Sequence, residues 1–285
     1  MKKILVPTDF SANSMKALKF AIQTAIKSKA QVVLMHQTSI LELAPDSAFT
    51  GLYVPTTGDQ IDYAKNALSK FRKKALSGFK GKADESLIEA EVVPGVGTVD
   101  IILETRKRVK ADVIVMGTTG ASGLKRLFIG SVAAQVVEKS PVPVIVIPES
   151  HRMGAIKKIG YASDLAHVSK DLEQIAPIVE ILGAELEIFH IEPTFPTNEA
   201  FLKFKPETEI PALAKKFNLT NLKYRLVKTK FDNDFYSGIE SYRRNQKPDM
   251  LVVITHKRGW LGKIFDPSKS KGLAYHTKLP VISIK

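Results

Sequence analysis

The chain repeats itself, and that restricts its architecture more than any other feature. Lys2-Lys3-Ile4-Leu5-Val6-Pro7-Thr8-Asp9 returns 155 positions later as Lys157-Lys158-Ile159-Gly160-Tyr161-Ala162-Ser163-Asp164. Gln31 to His36 is echoed by Glu185 to His190, Ala111 to Met116 by Pro248 to Ile254, and Val142 to Ile147 by Leu279 to Ile284. Four matched segments in unchanged order make the 285 residues two copies of one unit. The copies span 1–148 and 155–285 and join near Pro148 to Ala155.

The matched segments are short runs of Val, Ile and Leu, the pattern of parallel strands buried on both faces. Amphipathic stripes lie between them: Leu18, Ala21, Ile22, Ala25 and Ile26; Ile61, Ala64, Leu68, Phe71 and Ala75; and, in the second copy, Leu172, Ile175, Val179 and Leu182. With Leu87 to Val93 and Leu222 to Val227 added, each copy has five strands alternating with four helices. The fold class is therefore α/β, two tandem doubly wound domains with parallel sheets and right-handed crossovers. Ser39 to Thr57 fits neither periodicity and reads as a loop or lid. Its counterpart, Pro193 to Pro211, carries Pro196, Pro206 and Pro211 and is expected to be irregular.

Cysteine is absent, which excludes disulfides, zinc-thiolate and iron–sulfur centres and thiol nucleophiles. No apolar run reaches the ~18–20 residues of a membrane span, and Ile4 to Val6 is too short for a signal-peptide core, so a soluble cytoplasmic protein is expected. The net charge of +13 is spread over both copies with no dense basic run. It favours anionic ligands in general but gives no reason to expect nucleic acid.

Open α/β sheets bind ligands beyond the carboxyl ends of their strands, where strand order reverses. Val6 is followed by Pro7-Thr8-Asp9-Phe10-Ser11. Met116 is followed by Gly117-Thr118-Thr119-Gly120, nine residues, then Gly130-Ser131-Val132 at the next helix start. Glycines let a backbone approach a phosphate, and a helix N-terminus offers free N–H groups to an anion. Asp9 can accept ribose hydroxyls or an adenine amino group. The same residues have blander readings: Asp9 as a helix cap, Gly117 and Gly120 as turn glycines, Lys125 and Arg126 as a solvated loop. His36 and His190 end matched strands, where hydrogen-bonded, half-buried imidazoles are expected. There is no Gly-x4-Gly-Lys-Ser/Thr run, and Gly95-Val96-Gly97 lacks the third glycine of a dinucleotide fingerprint.

The spacing Gly117-x2-Gly120-x9-Gly130-Ser131, with Pro-Thr-Asp-Phe-Ser after the first strand, closely resembles the nucleotide-binding signature of the universal stress protein (UspA) family. The resemblance covers nearly the whole chain as a tandem pair. It implies strand order 3-2-1-4-5, pairing of the copies through strand 5, and ATP with Mg²⁺ or Mn²⁺ at the strand 1/strand 4 crevice; a homodimer of two such tandem chains is left open. Carried over residue by residue, the binding set is Pro7, Thr8, Asp9, Gln37, Met116, Gly117, Thr118, Thr119, Gly120, Gly130, Ser131 and Val132. Asp9 contacts base or ribose, Gln37 lines the base pocket, and the glycines with Ser131 and Val132 cradle phosphates. Gln37 departs from the apolar residue usual in ATP-binding members.

In the second copy Asp164 is kept, but Thr255, Arg258 and Pro267 replace Gly117, Gly120 and Gly130, with Ser268 alone retained. Proline removes a donor and fixes φ, and an arginine side chain occupies the volume a phosphate needs. One nucleotide site per chain is expected, in the first copy, with little or no hydrolysis. The alternative is a non-nucleotide binding or interaction module that uses the degenerate second pocket for a metabolite or apolar ligand.

Overall fold

The computed structural model describes residues 1–39, 57–118, 130–192, 203–229, 235–254 and 279–285. The first copy runs β1 (Lys3–Pro7), α1 (Ala12–Ser28), β2 (Gln31–Thr38), α2 (Thr57–Leu76), β3 (Ile88–Pro94), α3 (Thr98–Val109), β4 (Val113–Gly117), α4 (Ser131–Lys139) and β5 (Val144–Ile147). The second runs β6 (Lys158–Ala162), α5 (Val168–Leu182), β7 (Glu185–Glu192), α6 (Pro206–Lys216), β8 (Leu222–Lys228), α7 (Phe235–Gln246), β9 (Met250–Ile254) and β10 (Val281–Ile284). A fourth helix in this copy would fall in 255–278, outside the described residues, as do 40–56 of the expected lid.

Each copy is a doubly wound parallel sheet ordered 3-2-1-4-5. The ten strands follow the order β3-β2-β1-β4-β5-β10-β9-β6-β7-β8. All neighbours are parallel except β5 and β10, which run antiparallel with Val281 opposite Val146 and Ser283 opposite Val144. The carboxyl ends of β1 and β4 therefore open at the opposite end of the sheet from those of β6 and β9.

Strand periodicity explains how the helices are distributed. Ile4, Val6, Val32, Leu34, Val113 and Val115 face one core, shared by α1, α2, α5 and α6 of both copies. Leu5, Val33, Met35, Ile114 and Met116 face a second core under α3 and α4. Ala162, Phe189 and Leu251 face a third under Ile239 and Tyr242 of α7. The helix ends obey local chemistry: Ser11 caps α1 by accepting from Ser14 N, and Gly183 closes α5 in the left-handed region.

The expected irregularity at Pro206 and Pro211 is corrected. α6 begins with Pro206 in its first turn, where a missing N–H costs nothing, and it continues through Pro211. Its amphipathic face, with Leu213 buried, outweighs the single intrahelical bond that Pro211 cannot make.

Two close approaches set local stability. α1 lies so near β4 that a Cβ added at Gly117 would stand 2.7 Å from Asn13 Nδ2 and 3.2 Å from the Asn13 backbone carbon. In the second copy, Gly160 lets Tyr242 lie on β6; its ring stacks on Phe189 at 3.8 Å, and its hydroxyl donates to Glu187 at 2.8 Å. Glu187, 1 % exposed, also pairs with Lys158 at 2.9 Å and Arg225 at 2.8 Å. Burial pushes its carboxyl upward, but bonds from Lys158, Arg225 and Tyr242 outweigh that and hold it below the usual range.

Gly117→Ala is expected to lower stability by about 1–3 kcal/mol, read from urea denaturation, because the Asn13 backbone cannot retreat. Glu187→Gln is expected to cost about 1–3 kcal/mol at neutral pH. Since folding depresses this carboxyl's pKa, the stabilisation is present above the unfolded value. The gap between wild type and Glu187→Gln should therefore close as the pH falls below about 4.3, which urea midpoints across pH would measure.

Candidate functional site

The first-copy crevice starts with the turn after β1. Thr8 N donates to Met35 O at 2.8 Å, extending the β1–β2 ladder by one bond. The Thr8 hydroxyl then accepts from Phe10 N at 3.0 Å and lies 2.9 Å from Ser14 Oγ, while Asp9 Oδ1 accepts from Ser11 N at 3.0 Å. These bonds hold Phe10 at φ 64°, a left-handed conformation uncommon for a non-glycine residue. Its ring packs 4.2 Å from that of His36. His36 Nδ1 stands 2.8 Å from Thr8 O. A carbonyl can only accept, so Nδ1 carries the proton. Asp9 is thus an Asx-turn residue, and the cap of α1 is Ser11.

Opposite this turn, β4 ends at Gly117. Thr118 accepts from Asn13 Nδ2 at 3.2 Å, its N–H donates to Ile147 O at 3.1 Å, and its carbonyl accepts from Gly130 N at 2.5 Å. The chain therefore leaves β4 and returns to α4 through adjacent backbone groups. Gly130 is the N-cap of α4 at φ −60°, with no side chain capping the helix. The positive end of the helix dipole faces the crevice, as an anion would require.

Together these elements enclose about 340 Å³, within the size range of small-molecule sites. Pro7, Thr8, Asp9, Gln37, Met116, Gly117, Thr118, Gly130, Ser131 and Val132 all line it. Thr119 and Gly120, like Lys125 and Arg126, lie outside the described residues. Met35, Met116 and Ile102 form an apolar side, and Asp9 supplies the carboxylate. Among the described residues no group of three or more His, Cys, Asp or Glu side chains could hold a metal ion.

Six lining residues escaped the sequence reading as binding residues: Ser14, Met35, His36, Thr98, Ile102 and Ala133. Ser14 was signalled by its place one turn after Ser11. Thr98 follows the Gly95-Val96-Gly97 segment at the end of the edge strand β3. Gln37 bridges to that segment, its Nε2 donating to Gly95 O at 2.5 Å and its Oε1 accepting from Thr98 Oγ1 at 3.1 Å.

The second copy reproduces four contacts of the first turn. Ser163 N donates to Phe189 O at 3.0 Å, Leu165 N to Ser163 Oγ at 3.0 Å, and Ala166 N to Asp164 Oδ1 at 3.0 Å. Leu165 takes φ 67°, and His190 Nδ1 lies 2.8 Å from Ser163 O. The walls differ. Phe189, in the place of Met35, is fully buried beneath Tyr242. Ile191, in the place of Gln37, sits so close to Gly238 of α7 that an added Cβ there would meet it at 2.6 Å. Thr255, Arg258, Trp260, Phe265, Pro267 and Ser268 lie outside the described residues.

Comparison with known proteins agrees with the fold and with the family resemblance. Residues 1–148 match the family model described as the universal stress protein family. The chain is similar to a universal stress protein of Methanocaldococcus jannaschii, 36% identical over 51% of this chain and 81% of that one. It is also similar to the universal stress protein YxiE of Bacillus subtilis, 34% identical over 51% of this chain and 97% of that one. Over 99% of its length it shares the fold of a crystallised universal stress protein from Archaeoglobus fulgidus, covering 96% of that chain at 20% identity with a TM-score of 0.66. A turn signature, a sheet order and a family match over half the chain lead to one conclusion: this chain belongs to the universal stress protein family.

Proposed function

We propose that the chain is a nucleotide-binding stress-response protein that takes one ATP per chain in the crevice of the first copy. The observation that carries this reading is the convergence of the Thr8–Asp9 turn, the end of β4 and the uncapped N-terminus of α4 on one cavity. The base and ribose would sit between Asp9, Gln37 and the apolar side formed by Met35 and Met116. The phosphates would lie against Gly130, Ser131 and Val132, with Thr119 and Gly120 completing the cradle. Mg²⁺ or Mn²⁺ would enter with the nucleotide, held chiefly by phosphate oxygens, and would neutralise their charge.

In this reading residues 1–148 form the nucleotide unit and 155–285 a partner that has given up its own site. Ile191 supports that division, since it replaces the crevice-lining Gln37 with a packed apolar residue. The β5–β10 contact would stand in for the pairing of two separate single-domain chains, with homodimers of the whole chain a further level of assembly. The role is cytoplasmic sensing or sequestration of nucleotide rather than turnover, signalled to a protein partner through the surface around the crevice.

Calorimetric titration of ATP with Mg²⁺ tests this. Wild type should bind about one nucleotide per chain, and Asp9→Ala should bind it at least tenfold more weakly. Gly130→Pro should do the same. Its φ of −60° suits proline, and the substitution removes the N–H that Thr118 O accepts, so the chain is no longer tied across the α4 entrance where the phosphates would lie. No uptake by wild type, or two equivalents per chain, would overturn the reading.

A further inference from the structure

The Gln37 carboxamide is held in one orientation across the crevice. Gly95 O can only accept, so the group facing it at 2.5 Å must be the amide nitrogen. That places Oε1 toward Thr98, whose hydroxyl donates to it at 3.1 Å. Turning the amide over would set Oε1 against the Gly95 carbonyl, acceptor against acceptor. The partner loop is itself constrained. Gly95 N donates to Thr38 O at 3.0 Å, and Gly95 adopts φ +149°, a backbone conformation that residues with a side chain rarely take. Gln37 and Thr98 both line the cavity. A primary carboxamide has two N–H donors and two acceptor lone pairs. One of each is committed to Gly95 and Thr98, and one of each remains.

We infer that Gln37 selects 6-amino purines over 6-oxo purines, with Gly95 O fixing the sense of its carboxamide and Thr98 as the positioning residue that holds the amide in place across the crevice. The inference rests on the nucleotide reading above. Adenine offers an amino donor beside a ring-nitrogen acceptor, and a fixed Oε1 and Nε2–H meet that pair with two hydrogen bonds. Hypoxanthine offers O6 beside either a second acceptor or N1–H in the reverse order. Matching it would require the amide to flip, which Gly95 O forbids. The second copy, with Ile191 at the matching position, has no such group.

Inosine triphosphate is the fitting probe because it differs from ATP only at ring position 6 and the attached N1 proton. Calorimetry with Mg²⁺ should show wild type preferring ATP by about tenfold or more, the discrimination expected of a two-bond contact. Gln37→Leu should still bind ATP but with the ratio reduced toward one. Thr98→Val should lower the ratio several-fold, and Thr98→Ser should restore it, a pattern that a merely structural role for Thr98 would not produce. A wild-type ratio near one, or a ratio unchanged in Gln37→Leu, overturns the base-reading role while leaving nucleotide binding intact. If wild type binds neither nucleotide, the site reading falls and this inference with it.

Discussion

Central strands that are runs of Val, Ile and Leu must be covered on both faces, and the rest of this molecule follows from that. Because successive side chains alternate, Ile4 and Val6 need one layer of helices and Leu5 needs another. Parallel strands supply both layers, since each connection crosses back as a helix. The helices that cover the sheet also fix where it can be open. α1 and α4 start at the carboxyl ends of β1 and β4, and the crossovers leave that point in opposite directions. The cavity between Thr8 and Gly130 is the gap this topology creates.

Duplication adds a second constraint. β5 and β10 are short, apolar edges, and an unpaired edge of that kind is a site for aggregation. Side by side and antiparallel, they become the centre of one ten-stranded sheet. On one face α1 packs on α5, and a single core runs through both copies. On the other face the cores remain separate. The outer strands, β3 and β8, carry Glu89, Glu91, Lys223 and Arg225, charges of the sort that discourage further pairing.

The two copies also show how the lining of a crevice can change without loss of its frame. The turn after the first strand is preserved through the same four contacts, down to a left-handed Phe10 or Leu165. That turn is a folding element, because it ends a strand and starts a helix. What changed is the lining. Phe189 under Tyr242 and Ile191 against Gly238 bring α7 down onto the sheet. The buried Glu187, with Lys158 and Arg225 around it, anchors the same helix to β7 through the Tyr242 hydroxyl.

The sequence by itself determined the duplication, the alternation of strand and helix, the strand order by resemblance, and ten crevice-lining residues. Each is a local or repeating pattern that survives without coordinates. It misjudged Pro206 and Pro211, where burial of an amphipathic face overrides a local breaker. Only the tertiary structure decided that Gly117 is required by the closeness of Asn13, and that Ser11 rather than Asp9 caps α1. It alone joined Gln37 to Gly95 and Thr98, about 60 positions further along the chain. The physical reason is common to all of these. Periodicity and spacing record what a segment does to its neighbours in the chain, whereas an approach between distant segments exists only after the sheet has brought them side by side.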